Sequence, residues 1–100
     1  MTAQGDVVVR ADHESERYVV VLSGPLHIAA GTGRLITCPF IPGTLDEGAM
    51  VMTVSCVSPR GLVLPELVQW LPRSALGESI GTVDAAAVRE AVGIVAALMS

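Results

Sequence analysis

The sequence predicts an α+β domain in which short strands form a barrel-like antiparallel sheet and one helix follows at the carboxyl end. Runs of β-branched and aliphatic residues, bounded by glycine, proline or charged residues, fill the chain as far as Gly81. Apolar residues then recur at helical spacing up to the carboxyl terminus. A chain of 100 residues supports one hydrophobic core, so we expect a single domain over residues 1–100.

Each of the first three predicted strands ends at a recognisable break. Val7 to Arg10 follows the turn residues Gly5 and Asp6, and it ends at a charged run that we interpret as a loop. Tyr18 to Leu22 is an unbroken apolar run, which is typical of a strand buried on both faces. Arg34 to Phe40 is expected to stop at Pro42-Gly43, because proline cannot donate to the sheet ladder.

The second half of the sheet is less regular in sequence. Met50 to Val57 and Leu62 to Leu64 are predicted strands on either side of a turn at Pro59-Arg60-Gly61. Glu66 to Leu71 fits a strand or a short helical turn, and the residues alone leave both open.

The last segment predicts an amphipathic helix. Thr82 is a suitable N-cap, and Asp84 lies in the first turn, where a negative charge suits the unpaired N–H groups. The predicted apolar stripe consists of Val88, Val92, Val95 and Met99.

The composition indicates that the domain has apolar surface which contact with another chain covers. Apolar residues make up 51% of the chain and the mean hydropathy is +0.59, which is high for so small a domain. We interpret the excess as a subunit interface. No apolar run is long enough to span a bilayer and no signal peptide is visible, so a cytoplasmic protein is expected.

The charge balance limits the kind of nucleic acid that could bind. All six basic residues are arginines, and ten carboxylates oppose them, giving a net charge of −4. Nucleic-acid binders usually carry a basic field, since phosphate neutralisation supplies much of their affinity. The balance argues against extended nucleic-acid binding and still allows a short substrate held by a few arginines in a local groove.

The cysteines and histidines predict neither a metal site nor a cofactor. Cys38 and Cys56 each lie in an apolar, strand-like run, where free cysteine packs as a small hydrophobic residue. No Cys-x-x-Cys pair is present, and His13 and His27 are too far apart in sequence for a metal motif.

Three blocks of the chain together resemble a known family. ERYVVVLSGPLHIAAGTGRLITCPFIPG, GLVLPELVQWLPRSAL and the terminal IGTVDAAAVREAVGIVAALMS are similar to MazF/PemK-type toxins of type II toxin-antitoxin systems, as is the opening Gly5-Asp6-Val7. The resemblance covers nearly the whole chain. It implies an SH3-like barrel, a two-fold homodimer, a cognate antitoxin and a metal-independent endoribonuclease that cuts single-stranded RNA without a cofactor.

The same resemblance assigns the first candidate catalytic residue. Arg17 matches the arginine with which these ribonucleases position the scissile phosphate, and a guanidinium can grip two phosphate oxygens at once. Tyr18 follows it where the family commonly has proline. The alternative is a surface arginine that pairs with Glu14 or Glu16.

One position departs from the family's nuclease pattern. An alignment on Pro39 places Ile41 where the family has a threonine, and isoleucine cannot hydrogen-bond a phosphate or a 2′-hydroxyl. Thr37 and Thr44 lie nearby and are candidate substrate-binding residues. A threonine in a strand also has a plain structural role, because β-branched residues favour strands.

His27 is the candidate for acid/base work that the missing threonine leaves open, because imidazoles commonly transfer protons near neutral pH. Ser23 and Arg34 are candidate substrate-binding residues, and Arg73 could extend the phosphate-binding face. The alternatives are a loop histidine bonded to backbone, a serine that caps a turn and solvated surface charges.

Two other functions stay open. CcdB-like toxins share the Arg17-Tyr18 pair and the Gly33-Arg34 turn, so a toxin that binds DNA gyrase or another protein is an alternative. CcdB toxins end in a motif containing Trp, Gly and Ile, which the terminal residues 97–100 lack. A family member that retains only antitoxin binding is the third possibility. For RNA, the aromatic residues available for stacking are Tyr18, Phe40 and Trp70.

Overall fold

The computed structural model describes residues 2–12, 14–43 and 52–100. This part of the chain forms seven strands, two α-helices and two short 3-10 helices. The strands are β1 (Asp6–Arg10), β2 (Tyr18–Val21), β3 (Arg34–Pro42), β4 (Val54–Val57), β5 (Arg60–Val63), β6 (Gln69–Pro72) and β7 (Leu76–Thr82). The α-helices are α1 (Pro25–Ala29) and α2 (Ala85–Leu98), and the 3-10 helices are Pro65–Leu67 and Arg73–Ala75.

The sheet is antiparallel and is built around the long strand β3. Its order is β4-β5-β3-β2-β1-β7, with β6 as an additional partner of β3. One side of β3 pairs with β2, and the other side pairs with β6 along its first half and with β5 along its second half. The antiparallel α+β prediction is confirmed.

The sheet curls until its two ends approach each other. Within the described residues, the strands at the two ends of this order are β4 and β7, and no hydrogen bonds join them. The turn between β4 and β5 nevertheless reaches β7, because a Cβ built on Gly81 would lie 3.3 Å from Cδ of Pro59. The fold is therefore barrel-like without being a closed barrel.

Strand β2 lies at the centre, with an apolar core on each face. Val20 packs into the larger core with Cys38, Phe40 and one face of α2. Val19 and Val21 point the other way, into a smaller core with Leu35 and Leu71. The prediction that this strand is buried on both faces is confirmed.

Helix α2 packs through a face that only partly matches the predicted stripe, since Val88 is buried and Val95 packs against the larger core. Its buried residues are Ala87, Val88 and Ala91. Val92 is 40% exposed and Met99 is 72% exposed, so that part of the predicted stripe is wrong. Small alanines let the helix lie close to the sheet, and a search for large apolar residues does not single them out.

The start of α2 also differs from the prediction. The N-cap is Asp84, which makes no side-chain capping bond. The Thr82 hydroxyl instead donates to a carboxylate oxygen of Asp6 at 3.1 Å, while the other oxygen of Asp6 accepts from the Ala3 N–H at 2.8 Å. Asp6 therefore ties the amino-terminal segment to the end of β7.

The remaining helices and strands agree only in part with the predicted boundaries. The segment that fits a strand or a helical turn contains both, since the 3-10 helix Pro65–Leu67 precedes β6. Helix α1 and strand β7 were not predicted, and β7 is largely exposed, so its sequence lacks apolar alternation. The predicted start of the fourth strand at Met50 lies outside the described residues.

Candidate functional site

The side chains of Arg10, Arg17 and Ile41 lie in a row across strands β1, β2 and β3. The antiparallel register pairs Val9 with Tyr18, so the next residues outward, Arg10 and Arg17, are direct neighbours. The Arg10 N–H donates to the Arg17 carbonyl at 2.8 Å, which agrees with this pairing. The β2–β3 register likewise places Ile41 opposite Arg17. Side chains at directly opposite positions share one face of a sheet, with Cβ atoms about 5 Å apart.

The row lines a cleft of about 650 Å³. Tyr18 is a half-buried aromatic residue of the lining, whereas the Phe40 ring is buried in the larger core. Leu67 and Gln69 close the side that follows β5. Most of the remaining lining is apolar. A largely apolar cleft with one partly exposed aromatic residue and two arginines at one end has the chemistry to hold an unpaired base and its phosphate.

The two arginines differ in their partners. Arg17 is exposed and makes no ion pair with the other described residues, so the expected alternative of pairing with Glu14 or Glu16 is not what the structure contains. Arg10 forms a two-bond ion pair with Asp12, in which Nη2 lies 2.7 Å and Nε 3.0 Å from the two carboxylate oxygens. Arg17 is thus the arginine that an anion can reach directly.

Glu16 and Tyr18 add a polar pair to the same cleft. A hydrogen bond with the Glu16 side chain raises the pKa of the Tyr18 phenol, and burial and the negative charge of Glu16 raise it further. The phenol therefore stays protonated at neutral pH. Glu16 is the only carboxylate among the described residues that line the cleft.

Ile41 gives this end of the cleft an apolar wall. It lies opposite Arg17 and lines the cleft, where the resemblance implied a threonine. No hydroxyl is supplied from that position.

His27 lies in a separate network at the other end of β2. Its Nδ1 is 2.7 Å from Oγ of the buried Ser23, which also accepts the Ile36 N–H at 2.7 Å. The serine hydroxyl can also donate its own hydrogen to Nδ1, an arrangement in which the ring proton is on Nε2. Nε2 faces Oγ1 of Thr32 at 3.4 Å.

The structure does not bring His27 and Arg17 together within one chain. Ser23 is six residues beyond Arg17 along an extended segment, and each residue advances roughly 3.3 Å. His27 is also absent from the described lining of the cleft. The predicted pairing of these two residues on one phosphate therefore has no geometric support in the protomer.

The predicted substrate-binding residues also lie apart from the cleft. Ser23 is buried with its hydroxyl engaged, and Thr37 is fully buried with Oγ1 donating to the Gln69 carbonyl at 3.1 Å. Arg34 is exposed at the start of β3, opposite Pro72, far along the strand from Ile41. Thr44 lies outside the described residues. Neither buried hydroxyl is presented to a ligand.

Both cysteines are free and buried, as predicted. Burial raises the pKa of Cys38 to about 12. Burial also raises the pKa of Cys56, with Asp84 and Glu90 adding to the shift through their negative charge. Neither thiol is a nucleophile near neutral pH.

The remaining described surface adds no candidate centre. A second cleft, of about 680 Å³, lies beside the start of α2 and includes Arg89, and it contains no residue of the predicted site. In residues 2–12, 14–43 and 52–100, no three His, Cys, Asp or Glu side chains meet in a way that could hold a metal ion. No helix in the described chain has the length and apolar character to cross a membrane.

Sequence reasoning overlooked Arg10 as a site residue. It was assigned only as the last residue of a strand, and its partner Asp12 was part of a charged loop. A predicted register for β1 and β2 could have found Arg10. When two arginines lie at the ends of adjacent antiparallel strands, on opposite sides of one loop, the register can place them directly opposite each other.

Comparisons with known proteins show the family and the fold. The profile of the family described as "Type II toxin-antitoxin system toxin Rv0299" matches residues 5–98. Toxin Rv0299 of Mycobacterium tuberculosis is 54% identical over 99 residues, which is 99% of both chains.

Solved structures with the same fold are more distant in sequence. A MazE-MazF crystal structure from Deinococcus radiodurans superposes with a TM-score of 0.78 at 21% identity, covering 99% of this chain and 95% of that one. An endoribonuclease in complex with its cognate antitoxin, from a mycobacterial species, gives a TM-score of 0.78 at 14% identity and the same coverage. The chain therefore belongs to the Rv0299 family of type II toxin-antitoxin system toxins and has the MazF fold.

Proposed function

We propose that this toxin is an endoribonuclease that cuts single-stranded RNA in the cleft beside Arg17. The observation that carries the proposal is an exposed arginine, with no ion pair among the described residues, at the end of a largely apolar cleft that includes Tyr18. Its relatives support the same activity, because a solved structure with this fold is named an endoribonuclease.

The proposed reaction uses the substrate's own 2′-hydroxyl as nucleophile. Its oxygen attacks phosphorus as its proton is removed, the bond from phosphorus to the 5′-oxygen breaks, and the leaving 5′-oxygen takes a proton from water. Arg17 binds the phosphate and stabilises the charge that develops on its oxygens. The products are a 2′,3′-cyclic phosphate and a free 5′-hydroxyl.

Proton removal in this scheme falls to Glu16 in place of His27. Glu16 lines the cleft with Arg17, whereas His27 lies at the other end of β2 with Nδ1 bonded to Ser23. A carboxylate beside an arginine can accept the 2′-hydroxyl proton as the oxygen attacks.

The partners of this activity follow from the family. We propose a cognate antitoxin that covers the arginine end of the cleft, because solved structures with this fold include toxins bound to antitoxins. We also propose a homodimer, and we place the activity in the cytoplasm, where the RNA substrate is found.

Purified, antitoxin-free protein with a defined single-stranded RNA in EDTA tests the proposal. The wild type should cut the RNA, and Arg17→Ala should lower the rate on the order of a hundredfold or more, as loss of one preorganised donor typically does. Arg89→Ala removes the same charge beside the second cleft and should leave the rate unchanged. Intact RNA after prolonged incubation with folded wild type would favour a toxin that binds a protein target.

A further inference from the structure

We propose that Arg10 is a second phosphate-contacting residue of this cleft, and that its guanidinium exchanges Asp12 for the substrate phosphate when RNA binds. The inference rests on the proposed function, since it assigns a further positioning residue for the same substrate. It describes the partner of the Arg10 guanidinium both in the free toxin and in the toxin bound to RNA.

The position of Arg10 follows from the sheet. It lies directly opposite Arg17 in the β1–β2 register, and a 2.8 Å backbone hydrogen bond joins the two residues. Both line the same cleft. Side chains that leave neighbouring strands about 5 Å apart on one face can both reach one phosphate or two successive phosphates.

In the free protein the Arg10 guanidinium is held in place by a carboxylate. Asp12 accepts from Nη2 at 2.7 Å and from Nε at 3.0 Å, and the side chains are 14% and 41% exposed for Arg10 and Asp12 respectively. The same two donors match two oxygens of a phosphate. Asp12 therefore occupies the fork that a phosphate would use.

This arrangement also explains how two arginines can lie side by side. Like charges on directly opposite residues destabilise a sheet, and the negative charge of Asp12 offsets that repulsion in the free protein. An arriving phosphate supplies the compensating charge in its place. Asp12 is 41% exposed, so water can solvate its carboxylate once the Arg10 guanidinium turns to a phosphate.

The exchange supplies a hydrogen-bond donor for the phosphate, which the side chain of Ile41 lacks. Ile41 and Arg10 flank Arg17 on its two sides, from β3 and β1 respectively. The donor missing on the Ile41 side is thereby replaced by a donor on the Arg10 side.

Binding of an uncleavable probe over a range of salt concentrations measures this directly. The probe is a fluorescent, mixed-sequence, 2′-O-methylated single-stranded RNA, which keeps every phosphate. Each phosphate contact on a single strand contributes about 0.7 to the slope of log affinity against log salt. Arg10→Gln should lower the slope by about 0.7, and Arg10→Lys should keep the slope while weakening affinity.

Asp12→Asn should have the opposite effect, because Arg10 no longer has to leave a carboxylate. We expect affinity to rise by roughly two- to fivefold, which corresponds to the small energy of an exposed pair. The gain should vanish when Arg10 is already glutamine, since a double-mutant cycle isolates the pair. Arg89→Gln and Glu90→Gln are the charge-matched controls on α2.

The outcomes separate this inference from the proposed function. If Arg10→Gln behaves like Arg89→Gln while Arg17→Gln abolishes binding, the role of Arg10 is overturned and the function stands. If Arg10→Gln does not fold, Asp12→Asn decides: affinity above that of Glu90→Gln supports the exchange, and equal or lower affinity overturns it. A wild type that does not bind the probe overturns both proposals.

Discussion

Arg10 and Arg17 are arginines at directly opposite positions of two strands, and their guanidinium groups have different partners. Arg10 precedes a loop that contains Asp12, so its guanidinium has a carboxylate within reach. Arg17 lies across the register and has no ion pair with the described residues. A local sequence window shows both as arginines in a charged run, and only the pairing of the strands distinguishes them.

His27 is expected to matter for stability and not for turnover. His27→Ala removes the imidazole partner of the buried Ser23 hydroxyl, and leaving a buried polar group without its partner costs about 1–3 kcal/mol. Urea unfolding should show that loss, while the rate of RNA cleavage by the folded fraction should change less than twofold. A drop in rate comparable to that of Arg17→Ala, at unchanged stability, would return His27 to the catalytic site.

Strand β3 is the element that shapes the cleft. Its first half pairs with β6 and its second half with β5, so the two partners separate beside its middle and leave a gap. The 3-10 helix Pro65–Leu67 spans the connection between them. The cleft is therefore a consequence of one long strand with two short partners on the same side.

Gly61 of β5 is required for that arrangement. A Cβ on this residue would lie 2.5 Å from both the Ile41 carbonyl oxygen and the Phe40 ring. Gly61→Ala should therefore destabilise the fold by about 1–3 kcal/mol, through a shift of β5 or of the ring. Thermal or urea unfolding measures the loss.

Gly93 is a matched control on α2, where a new Cβ meets nothing within 4 Å. Gly93→Ala should be neutral or stabilising by up to about 1 kcal/mol, because alanine favours helix more than glycine does. Equal effects of the two substitutions would contradict the packing argument at Gly61.

The elements with strong apolar patterns could be predicted from sequence, and those formed by long-range contacts could not. Strand β2 is a continuous apolar run, and both its position and its two-sided burial were predicted. Strand β7 is exposed and is defined by its pairing with β1, which leaves no apolar alternation to detect. The resemblance predicted Arg17 as a site residue. The distance between His27 and Arg17 depends on the length of β2, which separates the two residues in space.

At the scale of the whole molecule, the folded chain leaves apolar side chains on the surface. Apolar residues with more than two thirds of their side chain exposed include Leu26, Val57 and Met99. We expect a homodimer that covers part of this surface, and light scattering at micromolar concentration should give about twice the chain mass of 10.4 kDa. A mass of one chain would leave the apolar surface without an explanation.

The central claim is that the cleft beside Arg17 cuts RNA through the substrate's own 2′-hydroxyl, and a single-atom change in the substrate tests it most directly. Once the cut site in a defined RNA is mapped, the same RNA is made with one 2′-deoxy sugar on the 5′ side of that site. The account predicts no cleavage there, while a 2′-deoxy sugar placed several nucleotides away leaves the cut unaffected. Cleavage at the deoxy-substituted site would contradict the proposed chemistry.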